Sequence, residues 1–293
     1  MTADSGTGRE PRPVNDYFLS DAFVQEHLAQ TDAIPLSTFR LTFVTAALGR
    51  RANAPRILDV GCGGGHASQA FDEAFDRYSY TGLDFSARML LQARRRHPSF
   101  SFVRSRFDRT LPFADRCFDV VYFRDFLIHV QYPYDLIAEA LRVSRRFVAF
   151  NAPIVRIDRD LELTKVRSAI RYNFLSWHRL MTWIEPLGGL RIEAAAFKNR
   201  GYDPPDYVST DGRSWVGDVD RAGGAKDVDF LMEKAAGLAS TVEDRTSSWR
   251  HLGFVTGGAP SASLASWLAG GFYPHGVPLF VRRAVRGVIA KIK

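Results

Sequence analysis

The chain has 293 residues, 46% of them hydrophobic and 24% charged, a globular composition long enough to bury a sizeable core. Its two cysteines, Cys62 and Cys117, exclude a disulfide framework and point to a reducing, cytoplasmic setting. No run approaches the ~18 apolar residues of a membrane span, and the polar start MTADSGTGREPRP predicts no secretory signal.

Net charge is +7, but five cations (Arg282, Arg283, Arg286, Lys291, Lys293) crowd the final stretch PLFVRRAVRGVIAKIK. The rest is close to balance and carries no zinc-finger spacing, so no nucleic-acid partner is expected. Residues 1–15 read as disordered. From Asn15 to Arg51, Phe18, Phe23, Leu28, Phe39, Phe43 and Leu48 recur at helical spacing and predict two or three short helices, so 1–51 is a disordered start and helical cap. Alternation follows: strand 56–60, helix 66–75, strand 80–84, helix 86–96 with Ser86 as N-cap, strand 99–104, strand 118–123. Helix 133–143 with Pro133 in its first turn, strand 145–151, helix 177–186 and strand 190–197 complete the core, 52–200. Strands alternating with helices predict a doubly wound α/β sheet with helices on both faces. A C-terminal extension, 201–293, holds a turn-rich loop, a helix over 228–240, a possible last strand HLGFV (251–255) and the basic tail.

Chemistry concentrates where the first strand ends, in RILDVGCGGGH. Glycines there allow a tight turn and let a ligand approach bare backbone. A dinucleotide fingerprint would need glycine at 61, 63 and 66, but position 66 is His, so a nicotinamide cofactor is not expected. The spacing is D-x-G-x-G-x-G. Asp59 ahead of the glycines would repel a pyrophosphate and attract an ammonium group. Asp84, ending the second strand, can accept hydrogen bonds from both hydroxyls of a ribose. An amino acid at one strand and a ribose at the next describe S-adenosylmethionine.

The stretches ILDVGCGGG, YTGLDFSARMLLQAR, LPFADRCFDVVYF and FLIHV resemble the class I S-adenosylmethionine-dependent methyltransferases, in their small-molecule branch. The resemblance implies a Rossmann-like sheet with an added antiparallel strand, for which 251–255 is the candidate. It implies that Asp59, Gly61, Cys62, Gly63 and Gly65 hold the methionine part and Asp84 the ribose. Phe85 and Met89 would pack on the nucleoside, and Phe123 and Arg124 would line the methionine end. Where the family often has an Asp for the adenine amino group, this chain has Phe107, with Asp108 next to it. Either Asp108 takes over, or Phe107 stacks and its backbone recognises adenine.

A hydroxyl acceptor needs a base. His129 follows the fourth strand by six residues, in the first turns of a helix. By resemblance to sugar and natural-product O-methyltransferases it is a base, with Asn151 in place of an acid at the end of the fifth strand. The other reading is a packed helix residue. His178, opening a later helix, is within reach of an acceptor or simply exposed. The segment 154–176, with Arg156, Lys165, Arg167, Arg171 and Tyr172, is a substrate lid or a solvated basic helix face. No metal site is expected from two isolated cysteines and scattered histidines. The sequence therefore predicts small-molecule O-methylation. The alternatives are a lipid or lipid-linked glycan acceptor at a membrane surface, and a non-catalytic S-adenosylmethionine-binding or partner-binding protein. In the tail, Val281, Val285, Val288 and Ile292 share a helical face, which fits either peripheral membrane contact or docking on the core.

Overall fold

The computed structural model describes residues 21–33, 48–49, 51–107, 109–165, 170–196, 207–209, 225–234 and 241–244. Its first half alternates as the apolar pattern predicts. β1 (Arg56–Val60) and β2 (Ser79–Asp84) bracket the helix Ser68–Ala74, and the helix Ala87–Arg96 leads to β3 (Ser101–Arg104). β4 (Phe118–Phe123) is followed by a 3-10 turn, Leu127–His129, and the helix Pro133–Val143. β5 (Ser144–Val155) starts directly where that helix stops. Ser86 caps its helix as expected, accepting from the Met89 N–H at 3.3 Å.

β1 to β5 pair in parallel, in the order β3-β2-β1-β4-β5. Alternate residues then face opposite sides, and both sides are covered. Val60, Val121, Phe123, Val148 and Phe150 pack with Leu136, Ile137 and Ala140 of one helix and Leu180 and Ile184 of the helix Trp177–Ile184. Ile57, Tyr122 and Phe147 pack on the opposite side with Phe71, Leu90 and Ala93. Apolar strands buried on both faces between two helical layers make the doubly wound fold expected from the sequence.

The second half departs from the sequence reading. Residues 226–234, expected inside a helix over 228–240, form β10 (Lys226–Lys234). This strand runs antiparallel between β5 and β8 (Leu190–Ala196), and β8 continues to β11 (Thr241–Asp244). Val228, Phe230 and Met232 enter one core face and Leu231 the other, a period of two that only a strand satisfies. β10 is thus the antiparallel strand of the sheet; 251–255, the expected candidate, lies outside the described residues.

The basic segment 154–176 is also not helical where described. β6 (Leu161–Lys165) and β7 (Arg171–Ser176) form an antiparallel pair, with β9 (Tyr207–Ser209) beside β6 and β7 joined to the end of β5. Three stacked rings brace the middle of the sheet: Phe123 on Phe150 at 5.0 Å, and Phe150 on Phe230 at 4.8 Å. No helix among the described residues is long and apolar enough to cross a membrane.

Candidate active site

The glycine loop turns back over the carboxyl end of β1 with three glycines in left-handed backbone, Gly61 (φ 75), Gly63 (φ 52) and Gly65 (φ 80). At Gly61 space is short as well: a Cβ there would stand 2.4 Å from the Phe126 ring. The Gly61 and Cys62 N–H groups donate to the Leu83 carbonyl at 2.8 and 3.1 Å, tying the loop to β2. The Gly63 N–H donates to Asp84 Oδ2 at 2.9 Å, and the Ser86 N–H to Asp84 Oδ1 at 2.8 Å. Asp84 is 8% exposed, and burial raises its pKa against the N–H bonds that lower it. A carboxylate has about four lone-pair sites; the N–H groups of Gly63, Ser86 and Phe85 act on it, which leaves capacity for a ribose hydroxyl.

Asp59 is 2% exposed and accepts from the Tyr80 hydroxyl at 2.5 Å. Burial, opposed by that bond and reinforced by the charge of Asp84, pushes its carboxyl up to about 7. A buried carboxylate with so high a pKa is a site that a cation stabilises. Cys62 is buried beneath the loop, and its thiol is pushed well up by burial and by Asp59 and Asp84, which leaves it a packing residue. His66, also buried, meets Arg96 Nη1 through Nε2 at 2.5 Å.

On the nucleoside side, Phe85 is half-buried and Met89 is buried. Met89 packs against Val24 and Leu28 of the helix Asp21–Ala33. The same Leu28 lies 3.1 Å from where a Cβ on Gly64 would be, so this helix covers the glycine loop. Phe107 is partly buried against the core. Asp108, the other adenine candidate, lies outside the described residues.

Toward β4 and β5, the residues come together differently from the sequence reading. Phe123 buries its ring completely on Phe150 and does not line a cleft. Arg124 is mostly buried; burial works against its charge, but Asp125, Tyr122, Asp229 and Asp227 outweigh it and raise its pKa. Asn151, 4% exposed, meets Asp125 rather than an imidazole. Its Oδ1 accepts from the Asp125 N–H at 2.7 Å, and its Nδ2 donates to Asp125 Oδ1 at 2.8 Å.

His129 sits in the 3-10 turn, not in an α-helix. Its Nδ1 is 2.8 Å from the Arg171 carbonyl oxygen, and the Tyr172 ring stands edge-on at 4.8 Å. A carbonyl only accepts, so Nδ1 carries the proton and the basic lone pair of the neutral ring is on Nε2. Burial lowers its pKa; the Arg171 carbonyl and Asp125 oppose. His178 is exposed, in a hollow of about 300 Å³ with Arg156, Ile157, Asp158 and Trp177. It lies in a different setting from His129. Sequence reasoning missed Asp125 and Tyr80. An acid between the end of a strand and a following His was the available signal for Asp125.

Residues 58–147 match the family model described as a methyltransferase domain. The demethylmenaquinone methyltransferase of Renibacterium salmoninarum is 40% identical over 91 residues, 31% of this chain and 37% of that protein. The fatty-acid O-methyltransferase of Mycolicibacterium smegmatis is 28% identical over 159 residues, 53% of this chain and 52% of that one. The chain spans about half or less of the length of the curated relatives it matches. Among solved structures, a chain of the complex between the Haloferax volcanii Trm112 methyltransferase activator and a methyltransferase shares the fold. It matches with a TM-score of 0.50 at 19% identity, over 76% of this chain and 97% of that one.

Proposed function

We propose that this chain, whose residues 58–147 form a class I S-adenosylmethionine-dependent methyltransferase domain, methylates a hydroxyl oxygen of a small molecule such as a natural product or a sugar-like compound. The observation that carries the reading is the tautomer of His129: Nδ1 held by the Arg171 carbonyl, with the basic lone pair on Nε2.

The loop residues fit the cofactor. The left-handed glycines keep side chains out of its path, Asp84 is placed to take the ribose hydroxyls, and buried Asp59 is suited to the ammonium group. Bound there, S-adenosylmethionine supplies a methyl group on a sulfonium, ready for in-line displacement. The chain's own contribution is then positioning and proton removal. His129 takes the acceptor's hydroxyl proton on Nε2, and a base whose pKa lies below the ordinary value is deprotonated and ready at neutral pH. The helix Asp21–Ala33 packs through Val24 and Leu28 on Met89 and lies beside the glycine loop. The name of the Mycolicibacterium smegmatis relative supports oxygen as the methylated atom.

Incubating the protein with S-adenosylmethionine labelled in its methyl group and a fractionated metabolite extract tests the reading. Label is expected in a small product as a methyl ether or ester, in excess over protein. Label confined to nitrogen or carbon of the product, or cofactor bound without turnover, contradicts it.

A further inference from the structure

We propose that the Tyr122 hydroxyl, with Arg124 beside it, holds the carboxylate of the cofactor's amino-acid end, across from the ammonium at Asp59; this rests on the cofactor reading of the loop above. Tyr122 then serves the cleft with its hydroxyl and the core with its ring.

The sheet register builds the place. Asp59 of β1 pairs with Tyr122 of β4, and Tyr122 with Ala149 of β5, so the three share one face. One alternation nearer the carboxyl edge come Asn151 and, opposite it on β10, Asp229. Arg124 stands just past the end of β4. Tyr80 of β2 reaches the same face, where its hydroxyl donates to Asp59.

Tyr122 is fully buried, and its ring stands edge-on to Phe71 of the helix Ser68–Ala74 at 5.1 Å. Its hydroxyl meets no hydrogen-bond partner among the described residues. The two phenols near Asp59 therefore differ: the carboxylate satisfies Tyr80 and leaves Tyr122 unmet. Burial, opposed by Arg124 and reinforced by Asp59, Asp229 and Asp125, raises the Tyr122 pKa, so the group stays an O–H donor. Those charged groups all stand toward the carboxyl edge, where the glycine loop lies.

An unmet buried hydroxyl costs the folded chain free energy, and an acceptor on a ligand removes that cost. A hydroxyl donor beside a guanidinium suits a carboxylate. Arg124 Nε lies 3.5 Å from Asp125 Oδ2, and a guanidinium has further N–H groups to share. An α-amino acid carries its ammonium and its carboxylate on one carbon. Asp59 and the pair Tyr122 and Arg124 offer the complementary groups on adjacent strands.

Calorimetric titration of Tyr122→Phe, with thermal unfolding of the cofactor-free chain, tests the assignment. The probes are S-adenosylmethionine, its decarboxylated form, which keeps the ammonium, and methylthioadenosine, which lacks the whole amino-acid end. Phe keeps the ring and its packing. The variant is expected to bind S-adenosylmethionine about tenfold more weakly than wild type, and the other probes within about twofold. Without cofactor it should unfold at the same or a higher temperature, because the substitution removes an unmet buried donor. Unchanged affinity for S-adenosylmethionine, or an equal loss for every probe, overturns the assignment. A cofactor-free variant that unfolds at a lower temperature also overturns it, by giving the hydroxyl a structural partner. A wild type that binds none of the probes sinks the cofactor reading itself, and the assignment with it.

Discussion

At the glycine loop, the groups that shape the cleft bond within one strand–helix–strand unit: Gly63 and Ser86 to Asp84, and Tyr80 to Asp59. At β4 and β5 the corresponding bonds cross the chain. Asn151 reaches Asp125, the Arg171 carbonyl holds His129, and Asn173 holds the carbonyls around it. Even the packing behind them is distant, since Phe150 stacks on Phe230 of β10. The hydrogen bonds of the loop are local, although Phe126 and Leu28 pack against its glycines, while the base depends on β5, β7 and β10 being assembled correctly. A lesion in one half should therefore leave the other measurable.

The largest separation is expected from His129→Ala. Removing a general base should lower turnover by about 10²–10⁴ while the affinity for S-adenosylmethionine stays within about threefold. Steady-state rates and calorimetry on the same preparation check both sides. Phe230→Ala strikes the scaffold of the acceptor half by deleting a fully buried ring. The expected loss is about 3–5 kcal/mol of stability, read by denaturant unfolding. Asp84→Asn breaks the loop half instead. It should weaken S-adenosylmethionine by about 1–3 kcal/mol, the scale of a lost charge-assisted hydrogen bond, with the His129 midpoint unmoved in an NMR titration.

The smallest effect is in pH. Asp59 is raised from the ordinary 3.8 to about 7, so between those values the folded state holds a proton that the unfolded state has lost. Stability therefore falls as pH rises through that window and levels off above it. An ammonium group bound beside the carboxylate would lower its pKa again, so cofactor binding near pH 6 should release a proton. Calorimetry in two buffers of different ionisation enthalpy measures the release, and zero exchange would remove Asp59 from the ammonium site.

The same division explains what could be read from the chain. The loop half was legible because its signals are local: an apolar run into Asp59, glycines at positions that need left-handed backbone, and an acid at the end of the next strand. β10 was misread for a physical reason. Val228, Leu231, Met232 and Ala235 have helical spacing, and Leu, Met, Glu and Lys favour helices, yet pairing with β5 and β8 on both sides overrides that preference. Asn151 could be placed at the end of its strand, but its attachment to Asp125 follows from the alignment of two strands 26 residues apart. Phe123 misled in the other direction: the end of a strand marks the cleft, but alternation turned its ring into the core.

The account stands most directly on one calorimetric comparison, S-adenosylmethionine titrated into the wild type, Asp84→Asn and His129→Ala at a single pH. It predicts that the wild type and His129→Ala bind alike and that Asp84→Asn binds about tenfold to a hundredfold more weakly. A wild type that takes NAD and not S-adenosylmethionine, or an affinity that follows His129 rather than Asp84, would contradict it.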